Sequence, residues 1–353
     1  MTFEEARAQF PVLDRYAYLQ AGSVGPLARR TLDAMHAALE DGIAHGRGSQ
    51  AQFTKLLEER EALRAELAAL VGVGAEQVAL TASTTDGCNL VLGGLDLGPS
   101  DQVITTTDEH FGLIGPLHAS GAEVVVVEPD PERIAEAVTD RTRLIATSHA
   151  LWTTGAVLPV HELRAATGIP ILVDGAQSVG AFPVDARGLD YYTISGQKWL
   201  CGPDGTGALV VADPDALRVS HPSYLSQASY ERDGTFVAKE GAARFDPNVT
   251  PGSAVAGLRA ALGAIPEWAD VRARELAERF RARLAEAGCD VVVPDERSTL
   301  VSWRVPADES AELVAKIAAA DVVIRELPGR GLLRASVGWW SNEDDLERLV
   351  AAL

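Results

Sequence analysis

Three cysteines in 353 residues, Cys88, Cys201 and Cys289, are too scattered and odd in number for a disulfide framework or a CxxC metal pair. A reducing compartment, the cytoplasm, is therefore expected. Long apolar runs are also missing. The longest, such as Val124–Val127, fall far short of a bilayer's thickness. The opening Met1 to Phe10 carries Glu4, Glu5 and Arg7 and lacks the apolar region of a targeting segment. Positive charge is in deficit: 31 basic against 50 acidic residues give a net charge of -19. That balance argues against a nucleic-acid backbone or an anionic membrane as partner, since both call for a basic face. No GxGxxG follows the early strand-like runs, which removes the usual signature of dinucleotide binding. No internal repeat, low-complexity tract or Ser/Gly linker interrupts the chain.

With 47% hydrophobic residues, the chain can bury a sizeable core, and its length suggests about two domains. Helical periodicity over Arg29–His45 and Gln52–Val71 comes first. Short β-branched blocks then alternate with helical stretches: Gln77–Leu80, Gln102–Thr106, Glu123–Val127, Arg143–Thr147, Pro170–Val173, Tyr191–Ile194 and Gly207–Val211. Such blocks predict an α/β fold with a mostly parallel seven-stranded sheet covered on both faces. From about Ser253 the texture changes. A long helical stretch broken near Pro266 precedes runs at Asp290–Val293, Thr299–Val305, Asp321–Arg325 and Leu332–Val337, with helices at Glu309–Ala319 and Glu343–Leu353. This reads as a smaller α+β C-terminal domain. The expected division is 15–250 for the large unit, and 1–14 plus 251–353 for the small one.

Two segments carry the strongest chemical signal. Leu172-Val173-Asp174-Gly175-Ala176-Gln177 is a buried strand ending in an acid, at the end of the sheet where α/β proteins gather ligands. Downstream, Ser195-Gly196-Gln197-Lys198-Trp199-Leu200 places a lysine on a turn between two apolar strands, a poor setting for an ordinary surface charge. An acid to hold a pyridine nitrogen protonated and an amine for a Schiff base are what pyridoxal phosphate (PLP) requires. Thr81-Ala82-Ser83-Thr84-Thr85-Asp86-Gly87, between a strand and a helix start, offers hydroxyls and free N–H groups to a phosphate.

Together these segments resemble the class V aminotransferase family of fold-type-I PLP enzymes, from Tyr18-Leu19-Gln20-Ala21-Gly22 to the last helix, with DGAQS and SGQKWLCGP the most specific strings. The resemblance implies Lys198 as the PLP-bearing lysine, Asp174 as the pyridinium partner and Gln177 as donor to the phenolic oxygen. Thr84, Thr85 and Ser195 would bind phosphate. Gln197 replaces a histidine found in many relatives, keeping a donor there. In Asp108-Glu109-His110-Phe111-Gly112 the stacking residue is His110, or Phe111 if the register moves by one. Thr250 matches a threonine that reaches the phosphate of a neighbouring subunit, implying a homodimer with shared sites. Arg334 would bind the carboxylate of an amino-acid substrate, with Arg325 a second choice.

Cysteine desulfurases carry a nucleophilic cysteine on the loop leading to that arginine, and residues 325–331 contain none. Ser148-His149-Ala150-Leu151-Trp152, with Trp152 where desulfurases usually have asparagine, resembles the cysteine/cystine C–S lyases. So do Thr84-Thr85-Asp86-Gly87-Cys88-Asn89, Glu109-His110 and Asp190-Tyr191-Tyr192. β-Elimination is the leading expectation; transamination and epimerisation remain alternatives.

Overall fold

The computed structural model describes residues 1–247 and 249–353. Strands β1 (Val78–Thr81), β2 (Gln102–Thr106), β3 (Glu123–Val127), β4 (Thr142–Ser148), β5 (Ile171–Asp174), β6 (Tyr191–Ser195) and β7 (Gly207–Val211) form one seven-stranded sheet. Its order is β1-β7-β6-β5-β4-β2-β3. The sheet is mixed: β7 runs antiparallel to both neighbours, and the remaining pairs are parallel. The direction of β7 follows from its short link to β6, a turn that reverses the chain without a crossover helix.

Apolar residues alternate between two cores, one on each face. Val78, Leu80, Ile145, Val173 and Ile194 point to one, with Leu63 and Leu67 of helix α2 (Gln50–Leu70), which follows helix α1 (Arg29–His45). Ala79, Leu144, Leu172 and Leu209 point to the other, with Cys88 and Val91 of helix α3 (Thr84–Leu95). Burial on both faces explains why these strands read as continuous apolar blocks.

Strands β8 (Asp290–Val292), β9 (Leu300–Arg304), β10 (Arg325–Leu327) and β11 (Leu332–Ser336) form an antiparallel sheet in the order β8-β9-β11-β10. The single strand expected over Asp321–Arg325 is divided. Val322–Val323 pairs in parallel with Ala17–Tyr18, and only from Arg325 does the chain join β11. Ala17 and Leu19 accordingly lie in the second sheet's core, although the boundary expected at residue 15 put them with the larger unit. A hairpin of Gln227–Tyr230 and Phe236–Ala238 adds to the elements expected from the sequence. Its largely exposed side chains leave no apolar block to read.

One buried ionic knot joins distant parts of the larger unit. The Asp246 carboxylate accepts from Arg60 at 2.7 Å, from Arg64 at 2.9 Å and from the backbone N–H of Leu80 at 2.8 Å. All three charged side chains are buried. Asp246→Ala strands the buried Arg60 guanidinium, leaves Arg64 only Glu61 and the Val78 carbonyl, and should lower unfolding free energy by about 3–5 kcal/mol. Denaturant midpoints at unchanged m-value check this; a loss below about 1 kcal/mol, the surface-pair range, contradicts it.

Candidate active site

The parallel strands end together. Thr106, Ser148, Asp174 and Ser195 close β2, β4, β5 and β6. Ser148, Asp174 and Thr193 stand in register on adjacent strands. Asp174, 3% exposed, uses one carboxylate oxygen for the protein: Oδ1 accepts from Ala176 N–H at 2.9 Å and from Thr193 Oγ1 at 3.3 Å. Among the described residues, no hydrogen bond reaches its Oδ2.

Lys198 sits on the turn after β6. Gly25 N–H donates to the Gln197 carbonyl at 2.7 Å, and Cys201 N–H to that of Lys198 at 3.0 Å. Gly25 must be glycine because a Cβ there would collide with the Lys198 carbonyl. Cys201 holds φ at 54°, a left-handed conformation that side-chain-bearing residues rarely adopt, so backbone strain is concentrated beside the lysine. Among the described residues, no carboxylate forms an ion pair with Lys198. Burial lowers its ammonium to about 8, helped by Arg334 and Arg325 and opposed by Asp174.

His110 caps helix α4 (Phe111–Ala119): its Nδ1 accepts from Gly112 N–H at 3.1 Å, which leaves the proton on Nε2. Burial and then the nearby Lys198 charge lower its basicity, favouring neutral imidazole. The ring meets Trp152 edge-on at 5.4 Å. Phe111 is 78% exposed, so of the two stacking choices His110 is the one set among Lys198, Asp174 and the arginines.

The start of α3 lies against the start of α4. A Cβ on Gly112 would strike Thr85 Oγ1, so glycine lets the two helix ends close. Ser83 caps α3 through Asp86 N–H at 3.1 Å, leaving the N–H groups and hydroxyls of Thr84 and Thr85 for a ligand. Nearby, Ser195 Oγ donates to Gln197 Oε1 at 2.9 Å.

Gln177 is held from both ends. Its Oε1 accepts from Trp199 Nε1 at 3.0 Å, and its Nε2 donates to the Gly22 carbonyl at 2.8 Å. An indole N–H can only donate, so the amide's orientation is fixed and one Nε2 proton stays free.

Arg325 and Arg334 face each other across the β10–β11 pairing, directly in register. Like charges so placed repel. Arg334, 1% exposed, donates to the Trp152 carbonyl at 2.6 Å, and its Nε has no partner. Arg325 donates to Ser23 Oγ at 2.7 Å. Burial, and then Arg325, pull the Arg334 guanidinium down to about 9. Neither forms an ion pair among the described residues, and both hydrogen bonds they make are to neutral oxygens. A Cβ on Gly22 would come within 2.6 Å of Arg334 Nη2; glycine keeps that approach open. The turn between β10 and β11 is pinned over the site by Arg330, which donates to Asp108 at 2.9 Å and to the Thr107 carbonyl at 3.1 Å.

The structure thus brings Thr85, His110, Trp152, Asp174, Gln177, Ser195, Lys198, Arg325 and Arg334 into one cluster between the strand ends of the large sheet and the β10–β11 pair. Thr250 is half-buried ahead of helix α5 (Gly252–Leu262) and has no hydrogen bond to this cluster among the described residues. Sequence reading passed over Gly22, Gly25, Thr193 and Ser336, which hold the site's backbone. Their signal lay only in strand ends and glycines at close approaches.

A lysine, an acid with one free oxygen, an anion cradle and an arginine pair define an enzyme that handles amino acids on a bound aldehyde cofactor. The family model described as aminotransferase class-V matches residues 17–349, and the chain belongs to that family of PLP-dependent enzymes. It is 29% identical to the isopenicillin N epimerase of Streptomyces clavuligerus over 99% of this chain and 97% of that protein. It is 32% identical to a probable cysteine desulfurase of Methanothermobacter thermautotrophicus, in a match spanning 59% of this chain and 56% of that protein. Among solved structures, the cystine C–S lyase C-DES in complex with its reaction product, cysteine persulfide, superposes with a TM-score of 0.89. The identity there is 27%, over 97% of this chain and 98% of that one. A C-DES mutant with glycine covalently linked to the PLP cofactor gives 0.87 at 26% identity, covering 98% of each chain.

The donor set fits PLP. The open Oδ2 of Asp174, the unpaired amine of Lys198 and the threonine N–H groups beside Gly112 match its nitrogen, aldehyde and phosphate. Among the described residues, no cluster could hold a metal ion and no helix is long and apolar enough to cross a membrane.

Proposed function

We propose that this chain is a C–S lyase that acts on cystine or a cysteine S-conjugate, releasing pyruvate, ammonia and a thiol or persulfide. Lys198, Asp174 and His110 are its catalytic residues. Bound PLP supplies the electron sink that lets a proton leave the substrate's Cα.

Arg334, with Arg325 beside it, fixes the substrate carboxylate in a planar fork. Lys198 Nζ, neutral in a useful fraction near neutrality, takes the α-proton; its lowered basicity suits that task. Asp174 Oδ2 would keep the pyridine nitrogen protonated, Gln177 would donate to the phenolic oxygen, and Thr84, Thr85, Ser195 and Gln197 would hold the phosphate. Neutral His110 would cover the ring and Trp152 would wall the side-chain pocket. Loss of the proton at Cα is followed by cleavage of the Cβ–S bond, with the sulfur leaving as thiolate or persulfide. Water then replaces nitrogen at the α-carbon.

The observation that carries elimination over sulfur transfer is the turn between β10 and β11. It is a tight Pro328-Gly329-Arg330-Gly331 turn pinned to Asp108, with no cysteine. Cys88 and Cys201 are buried, and burial holds both thiols well above their usual range. A protein thiolate to accept sulfur is thus missing from the site among the described residues. The same reading includes a homodimer in the cytoplasm, with Thr250 of one protomer reaching the phosphate held by the other. The isopenicillin N epimerase likeness favours a second reading, epimerisation or transamination, which starts from the same α-proton loss.

Purified holoenzyme given L-cystine should release pyruvate and ammonia in equal amounts, with a persulfide trapped by alkylation. A keto acid that retains the substrate's full carbon–sulfur skeleton, or racemised substrate without pyruvate, would replace lyase with the second reading.

A further inference from the structure

Glu109 is an acid that the proposed mechanism does not use. It is buried, and among the described residues none of its partners is a cation. Thr106 Oγ1 and Thr147 Oγ1 donate to Oε1 at 2.8 and 3.0 Å, Ser148 Oγ donates to Oε2, and Ser148 N–H lies 3.1 Å from both oxygens. Four donors converge on one carboxyl group, a set suited to an acceptor-only carboxylate. The donors close β2 and β4, Ser148 is the in-register neighbour of Asp174, and the next residue is His110.

We propose that Glu109 is a positioning residue of the cofactor site: its ionised carboxylate ties the ends of β2 and β4, seats His110, and adds a second negative charge behind Asp174. This inference rests on the PLP reading above. Burial raises the Glu109 carboxyl, and Asp174 adds to the rise while the serine and threonine bonds oppose it. The thiol of Cys88 on α3 also faces both acids, and the Tyr192 hydroxyl faces Asp174. Lys198 itself is faced by Asp174, Arg334, Arg325 and His110. Two buried acids, neither in an ion pair among the described residues, would stabilise positive charge on the bound cofactor, which a protonated pyridine nitrogen would supply.

The test is the pH titration of the visible absorption of lysine-linked PLP in holoenzyme, together with the PLP dissociation constant. Glu109→Gln keeps the shape and removes the charge, so proton affinity of the linkage should fall about 10-fold, moving the midpoint down by about one unit. PLP should bind more weakly. Glu109→Asp should restore the midpoint. Should Glu109→Gln not fold, the double variant Thr147→Val/Ser148→Ala removes two donors and favours the neutral acid, shifting the midpoint the same way. A wild-type midpoint in every folded variant overturns the inference while leaving the PLP reading intact. Wild-type protein that never acquires the visible band overturns both.

Discussion

Lys198→Ala is expected to abolish the visible absorption of lysine-linked PLP and to lower kcat about 1,000- to 10,000-fold, the span of a lost general base that is also the covalent anchor. The sequence contains four lysines, and the choice among them is physical. Lys55 is exposed and paired with Asp41, Lys316 is exposed, and Lys239 lies beside the exposed hairpin. Lys198 alone stands between an acid and two unpaired arginines. The pH dependence carries a sign as well. With the ammonium near 8, attachment of PLP to the apoprotein should accelerate about tenfold per pH unit below 8 and level off above it. A free-amine profile rising to about 10.4 would mean the lysine is not desolvated. A visible band that persists in Lys198→Ala would assign the linkage to another amine.

Arg334→Met should separate function from stability. KM for the amino acid is expected to rise about 100-fold, the scale of one buried charge-assisted contact, while PLP still binds. The apoprotein should melt at or above the wild-type temperature. Replacement removes a buried cation that has no counter-ion and relieves its repulsion with Arg325, against one lost bond to the Trp152 carbonyl. Calorimetry beside steady-state kinetics decides it. A lower melting temperature with unchanged KM would make Arg334 a structural residue. Arg325 is then the carboxylate ligand to test, and it donates to Ser23.

Much of this arrangement was legible in the chain because it depends on local pattern. Asp174 ends an apolar block and Lys198 follows one, so both could be placed at strand ends without knowing strand order. Thr84 and Thr85 open a helix that announces itself by its Ser83 cap. What stayed hidden depends on register and long separation. That Arg325 and Arg334 face each other is set by the hairpin between them, and the strand expected over Asp321–Arg325 breaks because Val322–Val323 finds Ala17–Tyr18 instead. Arg330 reaches Asp108 across 222 positions of sequence. Glu109 looked like a neighbour of His110; its meaning as an acid appears only when β2 and β4 lie side by side.

The pairing of the first strand of the large sheet with the last sets a timetable for biosynthesis. β1 begins at Val78 and β7, its one neighbour among the described residues, at Gly207, 129 residues later. At ribosomal rates of about 5–20 residues per second, β1 waits roughly 6–26 seconds for its partner. Ala17–Tyr18 waits longer still, for Val322–Val323. During that interval Val78 and Leu80 lack the neighbouring strand that completes their side of the sheet. A nascent chain with so much non-local pairing folds slowly and presents an open strand to other chains. Expression at reduced temperature, or with chaperones that shield nascent strands, should therefore raise the folded yield.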